Sequence, residues 1–142
     1  AVLGLSTEFW KQEVWRGIEI PDVTWDTFSE FQERFLQATF GVMDPNALLV
    51  MGWKWQRGDV ARNTGGDLAA ALGRVTAKVF VMPHDEDMFF PPRDAAAEQE
   101  LTPNSELRVL HTIAGHFGLF GFEPSYLAEV DAHLSELLAT EV

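Results

Sequence analysis

The sequence predicts an α/β fold, and three observations carry that expectation. Val79, Phe80, Val81 and Met82 form a short apolar run, partly β-branched, that stops at Pro83 as a buried strand does. A second run of the same kind covers residues 107–110. Between them Pro91-Pro92 opens a helical stretch, and strand, helix, strand is the order that builds a parallel pair.

In chain order, Ser6 or Thr7 can cap a first helix reaching Arg16, with Glu8 in its first turn and Phe9, Trp10 and Val14 sharing an apolar side. Gly17 can end it, and Pro21 breaks a linker over residues 18–23. Thr24 is expected to cap a second helix, along which Trp25, Phe28, Phe31, Phe35, Leu36 and Phe40 form an aromatic stripe. Core packing accounts for most of these rings, although a helical pair so rich in Phe and Trp also suits a cover over an apolar pocket.

Asp44-Pro45-Asn46 turns into a third helix over residues 47–56. Its Leu48, Met51 and Trp55 lie on one side and Leu49, Gly52 and Trp53 towards another, which predicts burial on more than one face. Arg57-Gly58-Asp59 matches an integrin-binding tripeptide but reads better as a helix end. The loop Asn63-Thr64-Gly65-Gly66 lacks the lysine and spacing of a phosphate-binding loop, and Asp67 caps a short helix over residues 68–72. Beyond the strands, Glu123-Pro124 opens a last helix in which Leu127, Val130, Leu134, Leu137 and Leu138 keep helical period while Glu129, Asp131 and Glu136 face water. The boundary near residues 63–67 divides a helical part, 1–62, from an α/β part, 63–142.

With 142 residues, 46% of them hydrophobic, and with eleven Phe and five Trp, the chain suits one globular domain and not a disordered segment. A formal charge of -12 without clustered Lys or Arg argues against nucleic acid and anionic membrane surfaces as partners. There is no cysteine, which excludes disulfides, thiolate metal sites and a cysteine nucleophile. No basic leader precedes Ser6, and no apolar run approaches the roughly 18 residues that span a bilayer, so a cytoplasmic location is the default expectation. The missing initiator Met hints that the chain begins inside a longer product or after processing.

The chemistry concentrates behind the two strands. His84, Asp85, Glu86 and Asp87 follow the first strand at its carboxyl end, where open α/β sheets present working groups, and the second strand leads to Gly115-His116. Two strands thus deliver an acid and a histidine. The competing readings are turn formation and helix capping by the acids, and a metal site built from His84, Asp85, Asp87 and His116. Against the metal, no H-E-x-x-H or comparable spacing is present. His111, at a strand end, and His133, on the polar side of the last helix, read as solvated.

Several blocks resemble a known family: F-W-K-Q-E-V-W-R-G near the start, M-D-P-N-A-L-L, G-D-L-A-A-A-L-G, K-V-F-V-M-P with D-E-D-M-F-F-P-P, then N-S-E-L-R and G-H-F. On these the chain resembles the C-terminal portion of an α/β-hydrolase of the homoserine O-acetyltransferase-like family. The resemblance implies a triad acid at Asp87, a general base at His116, a helical lid from Phe9 to about Gln56, and a closing helix over residues 127–138. Asp87 is preferred over Asp85 and Glu86 because it directly precedes Met88-Phe89-Phe90; spacing alone leaves the three open. The implied reaction passes an acyl group, with acetyl-CoA as one candidate donor and no permanently bound cofactor, through an acyl-serine to a hydroxyl or to water.

One part of the family pattern is missing. Ser6, Ser29, Ser105, Ser125 and Ser135 all lack the strand, Gly-x-Ser-x-Gly, helix context of a nucleophile elbow. The chain is therefore expected to supply the acid and the histidine of a Ser-Asp-His triad and to be inactive alone. Its partners are then a small-molecule substrate and the missing N-terminal half or another copy of the chain, met along an exposed strand edge. The alternative is a non-catalytic fragment that serves only to pair with a partner.

Overall fold

The structure, a computed structural model, describes residues 4–140, so the outermost residues of both expected regions lie outside it. It is a mixture of helices with a small parallel sheet. Two units pack separately: Glu13–Asp59 forms one, and the described residues up to Gln12 join those from Val60 onward in the other. The first helix accordingly belongs with the α/β part, a difference from the division expected at residue 62.

The helical unit is built around one ring. Phe31 is 1% exposed and meets Trp25, Trp15 and Phe35 at centroid distances of 5.0, 5.5 and 5.1 Å. A 3-10 turn, Val14–Gly17, carries the buried Trp15, and helix α2 (Phe28–Phe40) carries Phe31. Phe31 of the aromatic stripe is thus core and Trp25 and Phe35 pack on it, while Phe28 and Leu36 remain exposed; such ring pairs add about 1 kcal/mol beyond area burial. Thr27 caps α2, not Thr24: its hydroxyl accepts from Glu30 N–H while Glu30 reaches back to Thr27 N–H, a capping box. The expectation of Thr24 failed because the competing box lies three residues on. Helix α3 (Pro45–Trp55) is capped by Asp44 and starts two residues before the expected position 47, because Pro45 serves as its first residue; it buries no residue, and Leu49, Met51, Trp53 and Trp55 are exposed. Its two-sided apolar pattern did not translate into burial within this chain.

In the other unit, α1 (Thr7–Lys11) is shorter than the pattern to Arg16, because Glu13 takes a left-handed conformation and breaks it. Ser6 caps it by accepting from Phe9 N–H. A 3-10 turn, Val60–Thr64, and α4 (Leu68–Leu72), capped by Asp67, lead to β1 (Val79–Val81). Helix α5 (Pro92–Glu100) follows, then β2 (Ser105–Leu107), a 3-10 turn Gly115–Phe120, and α6 (Pro124–Leu138).

The strands pair in parallel with Val79, Phe80 and Val81 opposite Ser105, Glu106 and Leu107. The second strand therefore starts two residues earlier than its apolar run, since polar Ser105 and Glu106 supply ladder groups that periodicity cannot see. Pairing continues past both strands: Arg108 N–H donates to Val81 O, Leu110 N–H to Pro83 O, and Asp85 N–H to Leu110 O, each at 2.9 Å. Both strands thus leave the sheet at the same end, held together.

Helix α6 packs against β1. Its inward face carries buried Tyr126 with half-buried Val130, His133 and Leu137, whereas Leu127, Leu134 and Leu138 are exposed. Of the apolar stripe expected on this helix, Val130 and Leu137 are thus on the covered face, while Leu127, Leu134 and Leu138 are not. His133 is likewise not simply solvated, since its ring stands edge-on to Phe80 at 6.4 Å.

Candidate active site

Past β1, the chain turns at residues 84–87, with Asp87 N–H donating to His84 O at 3.3 Å. The Asp87 carboxylate is buried, 7% exposed, and all its hydrogen bonds are local or to one ring. Oδ1 accepts from the N–H groups of Phe89 (2.7 Å) and Phe90 (3.0 Å). Oδ2 accepts from His116 Nδ1 at 2.9 Å. Burial alone would raise the pKa of this carboxyl. The hydrogen bond from His116, the Phe90 and Phe89 N–H groups and the charge of His116 outweigh it and hold the pKa below the ordinary aspartate value.

A carboxylate only accepts, so the ring proton of His116 sits on Nδ1. Nε2 is then the basic nitrogen, on a side chain that is 25% exposed. Phe89 stands edge-on to the imidazole at 4.9 Å and Phe90 tilts against it at 5.5 Å. The two residues whose N–H groups hold the carboxylate thus wall the histidine with their rings.

The backbone before His116 explains why a glycine stands there. Gly115 has φ +59°, and a Cβ on it would meet Ser6 N at 2.9 Å, Glu86 O at 3.1 Å and Gly4 O at 3.2 Å. Two backbone segments, residues 4–6 and the turn at Glu86, converge on that one residue. Ser6 Oγ, wholly buried, also donates to Ile113 O at 2.5 Å, so the cap of α1 tethers the histidine loop as well. Thr112 ties the loop from the other direction: its N–H donates to Asp85 Oδ1 at 3.2 Å and its hydroxyl pairs with Glu123.

The three acids therefore part ways. Asp87 holds the histidine, exposed Asp85 braces Thr112, and exposed Glu86 contributes a backbone carbonyl beside Gly115. His84 is buried, with Nδ1 3.0 Å from Gly115 O and Nε2 3.1 Å from the Tyr126 hydroxyl, so both ring nitrogens are engaged away from the metal grouping considered above. Among the described residues no group of three or more His, Asp or Glu is arranged to hold a metal. The contributions of Ser6, His84 and Tyr126 went unseen in the sequence; a histidine directly after a buried strand and its proline was the available signal for His84.

His111 pairs with Glu129, which accepts from both its backbone N–H (3.0 Å) and its ring Nδ1 (3.1 Å). That hydrogen bond, with the charge of Glu129, raises the pKa of His111 above its ordinary value. No serine enters the site. Ser6 is committed as a cap, Ser105 Oγ donates to Thr102 O at 2.6 Å, Ser29 lies in α2, and Ser125 and Ser135 lie in α6.

No protein-family profile matches the chain. Among curated proteins it is 57% identical over 137 residues to a Corynebacterium glutamicum protein named "Probable esterase", covering 96% of this chain and 38% of that protein. It is 49% identical over 131 residues to the ethyl acetate hydrolase of Pseudomonas veronii, covering 92% and 38%. Among solved structures it matches an acetylester hydrolase from Corynebacterium glutamicum with TM-score 0.84 at 57% identity, and the acetyl esterase MekB with TM-score 0.86 at 48%. Each match covers 98% of this chain, and 38% and 39% of those chains respectively. The chain thus spans about 38% of the length of the curated relatives it matches.

Proposed function

We propose that this chain is the acid-and-histidine part of a serine ester hydrolase with an α/β-hydrolase fold, acting on short acetyl esters. The observation that carries the reading is the Asp87–His116 pair: a buried carboxylate bonded to Nδ1 of a partly exposed imidazole, delivered by two parallel strands. The likeness to ester hydrolases, whose names specify acetyl and ethyl acetate substrates, supports the choice of reaction and substrate over acetyl-CoA-dependent transfer to homoserine.

In this mechanism the nucleophilic serine belongs to a region outside the 142 residues. As its Oγ attacks the ester carbonyl, His116 Nε2 takes the hydroxyl proton, and Asp87 stabilises the imidazolium while holding the ring in the Nδ1–H tautomer. Collapse of the tetrahedral adduct breaks the bond to the alcohol oxygen, which receives that proton. Water then attacks the acyl-serine with His116 again as base, releasing acetic acid and regenerating the serine. Residues 13–59, the helical unit, would form the cap of the complete enzyme, a role that their content of exposed Leu, Met and Trp supports.

A fluorophosphonate probe tests the reading on the complete protein. Labelling of a serine outside these 142 residues, together with hydrolysis of an acetyl ester, is the expected result. A complete protein that neither takes the probe nor releases acetate overturns it, and so does a serine of this chain carrying the label.

A further inference from the structure

We propose that His84 is a positioning residue for the Asp87–His116 pair, acting through the carbonyl oxygen of Gly115. The inference rests on the ester-hydrolase reading above and adds a residue to its machinery.

His84 is 9% exposed, and burying an imidazole is unfavourable unless both nitrogens are satisfied. Here they are, in a directed way. Gly115 O can only accept, so a ring with one proton carries it on Nδ1, 3.0 Å away. Nε2 then accepts from the Tyr126 hydroxyl at 3.1 Å, and the two rings meet edge to face at 5.3 Å. The result is a line of donors running from the first turn of α6 through His84 to the peptide that joins Gly115 to His116.

That peptide is where the histidine is aimed. Gly115 O, His116 N and His116 Cα share one plane, so holding the oxygen restrains the rotation of that plane and with it the base from which the His116 side chain projects. On the other flank of Gly115, Ser6 N, Glu86 O and Gly4 O press close enough to exclude a Cβ. His84 supplies the hydrogen bond that this crowded left-handed residue takes through its carbonyl. Its Nδ1 also lies 3.9 Å from Asp87 Oδ2, too far for a hydrogen bond but near enough for the N–H dipole to favour the carboxylate. One ring thus orders the backbone of the base and faces the acid that holds it.

The test compares His84→Leu, which removes both polar nitrogens, with His84→Asn, whose amide nitrogen falls near the position of Nδ1 and can donate to Gly115 O. Both are made in the complete protein and compared at matched far-UV circular dichroism. The readouts are the low-field proton resonance of His116 Nδ1–H, assigned by its loss in His116→Gln, and kcat and KM for an acetyl ester. H84L is expected to shift or broaden the resonance and lower kcat on the order of ten- to a hundred-fold with KM within about two-fold, as small misplacements of a base do. H84N is expected to keep the resonance and recover most of kcat. A wild-type resonance and kcat in H84L, or H84N as impaired as H84L, overturns the proposal. Should H84L fail to fold, Tyr126→Phe carries the decision: it removes one hydroxyl, is expected to shift the same resonance, and overturns the proposal if the resonance stays put. A wild-type protein without esterase activity sinks the functional reading alone, because the resonance still reports whether His84 orders the pair.

Discussion

His116 Nδ1 and Asp87 Oδ2 meet at 2.9 Å across 29 residues of sequence. Parallel pairing closes that distance, because β1 and β2 end at the same side and remain bonded through Leu110 and Asp85 before their loops diverge. An antiparallel pair would send the two loops to opposite ends.

Replacing Asp87 separates the acids. In the complete protein Asp87→Asn can no longer enforce the Nδ1–H tautomer of His116 or stabilise the imidazolium, and kcat is expected to fall on the order of 10³- to 10⁴-fold. Asp85→Asn weakens only a brace to Thr112 at 3.2 Å and is expected to cost about ten-fold or less. Equal losses in the two variants, measured on one acetyl ester, would remove Asp87 from its assigned role.

Acid dependence follows from the same carboxylate. Its folded pKa lies below the ordinary value, so the folded chain binds this proton more weakly than the unfolded chain does. The stability it contributes is complete above the unfolded pKa and is lost as pH falls through the lowered folded one. The gap in melting temperature between wild type and Asp87→Asn is therefore expected to narrow as pH drops from about 5 towards 2. A gap that is constant or widens over that range contradicts the assignment.

At Gly115 alanine meets two penalties, a positive φ and contact with backbone atoms at 2.9–3.2 Å that cannot swing aside. Gly65 has φ +68° with nothing within 4 Å of the added carbon, so Gly65→Ala isolates the conformational cost of about 1–2 kcal/mol. Gly115→Ala is expected to lose at least a further 1–3 kcal/mol from overpacking, read by denaturant unfolding. Similar losses in both would mean that the crowding around Gly115 relaxes freely.

His111 offers a surface check. Its raised pKa, caused by Glu129, means that the stability linked to its proton is fully present below the unfolded value and lost as pH rises through the folded one. An NMR titration of the His111 ring is expected to give a midpoint above the ordinary 6.5 that moves down in Glu129→Gln. A midpoint indifferent to that substitution would show that the pair does not persist in solution.

Much of the local structure was legible because its causes are local. Asp67 and Ser6 as caps, Pro92 at the opening of α5 and the β-branched run of β1 each act within a few residues. Errors arose where two local solutions compete or where a partner decides. Thr24 and Thr27 are both acceptable caps, and only Thr27 has Glu30 at the right spacing. Helix α6 has two faces of similar period, and packing against β1 chose the one with Tyr126 and His133.

The sequence by itself determined the kinds of groups available: an acidic turn after one strand, a Gly-His loop after the next, five serines without an elbow, and no cysteine. Spacing left three acids open, with Asp87 preferred for its place before Met88-Phe89-Phe90; only the tertiary structure brings its carboxylate to the histidine and supplies what holds it there. Asp85, Glu86 and Asp87 are neighbours with the same chemistry, and one residue of rotation along the turn separates a brace from a ring partner. The supports of Gly115, Ser6 from one side and His84 from the other, come from positions more than 30 residues away. Contacts over such separations leave no period or spacing in the chain, because their geometry exists only after the parallel register has formed.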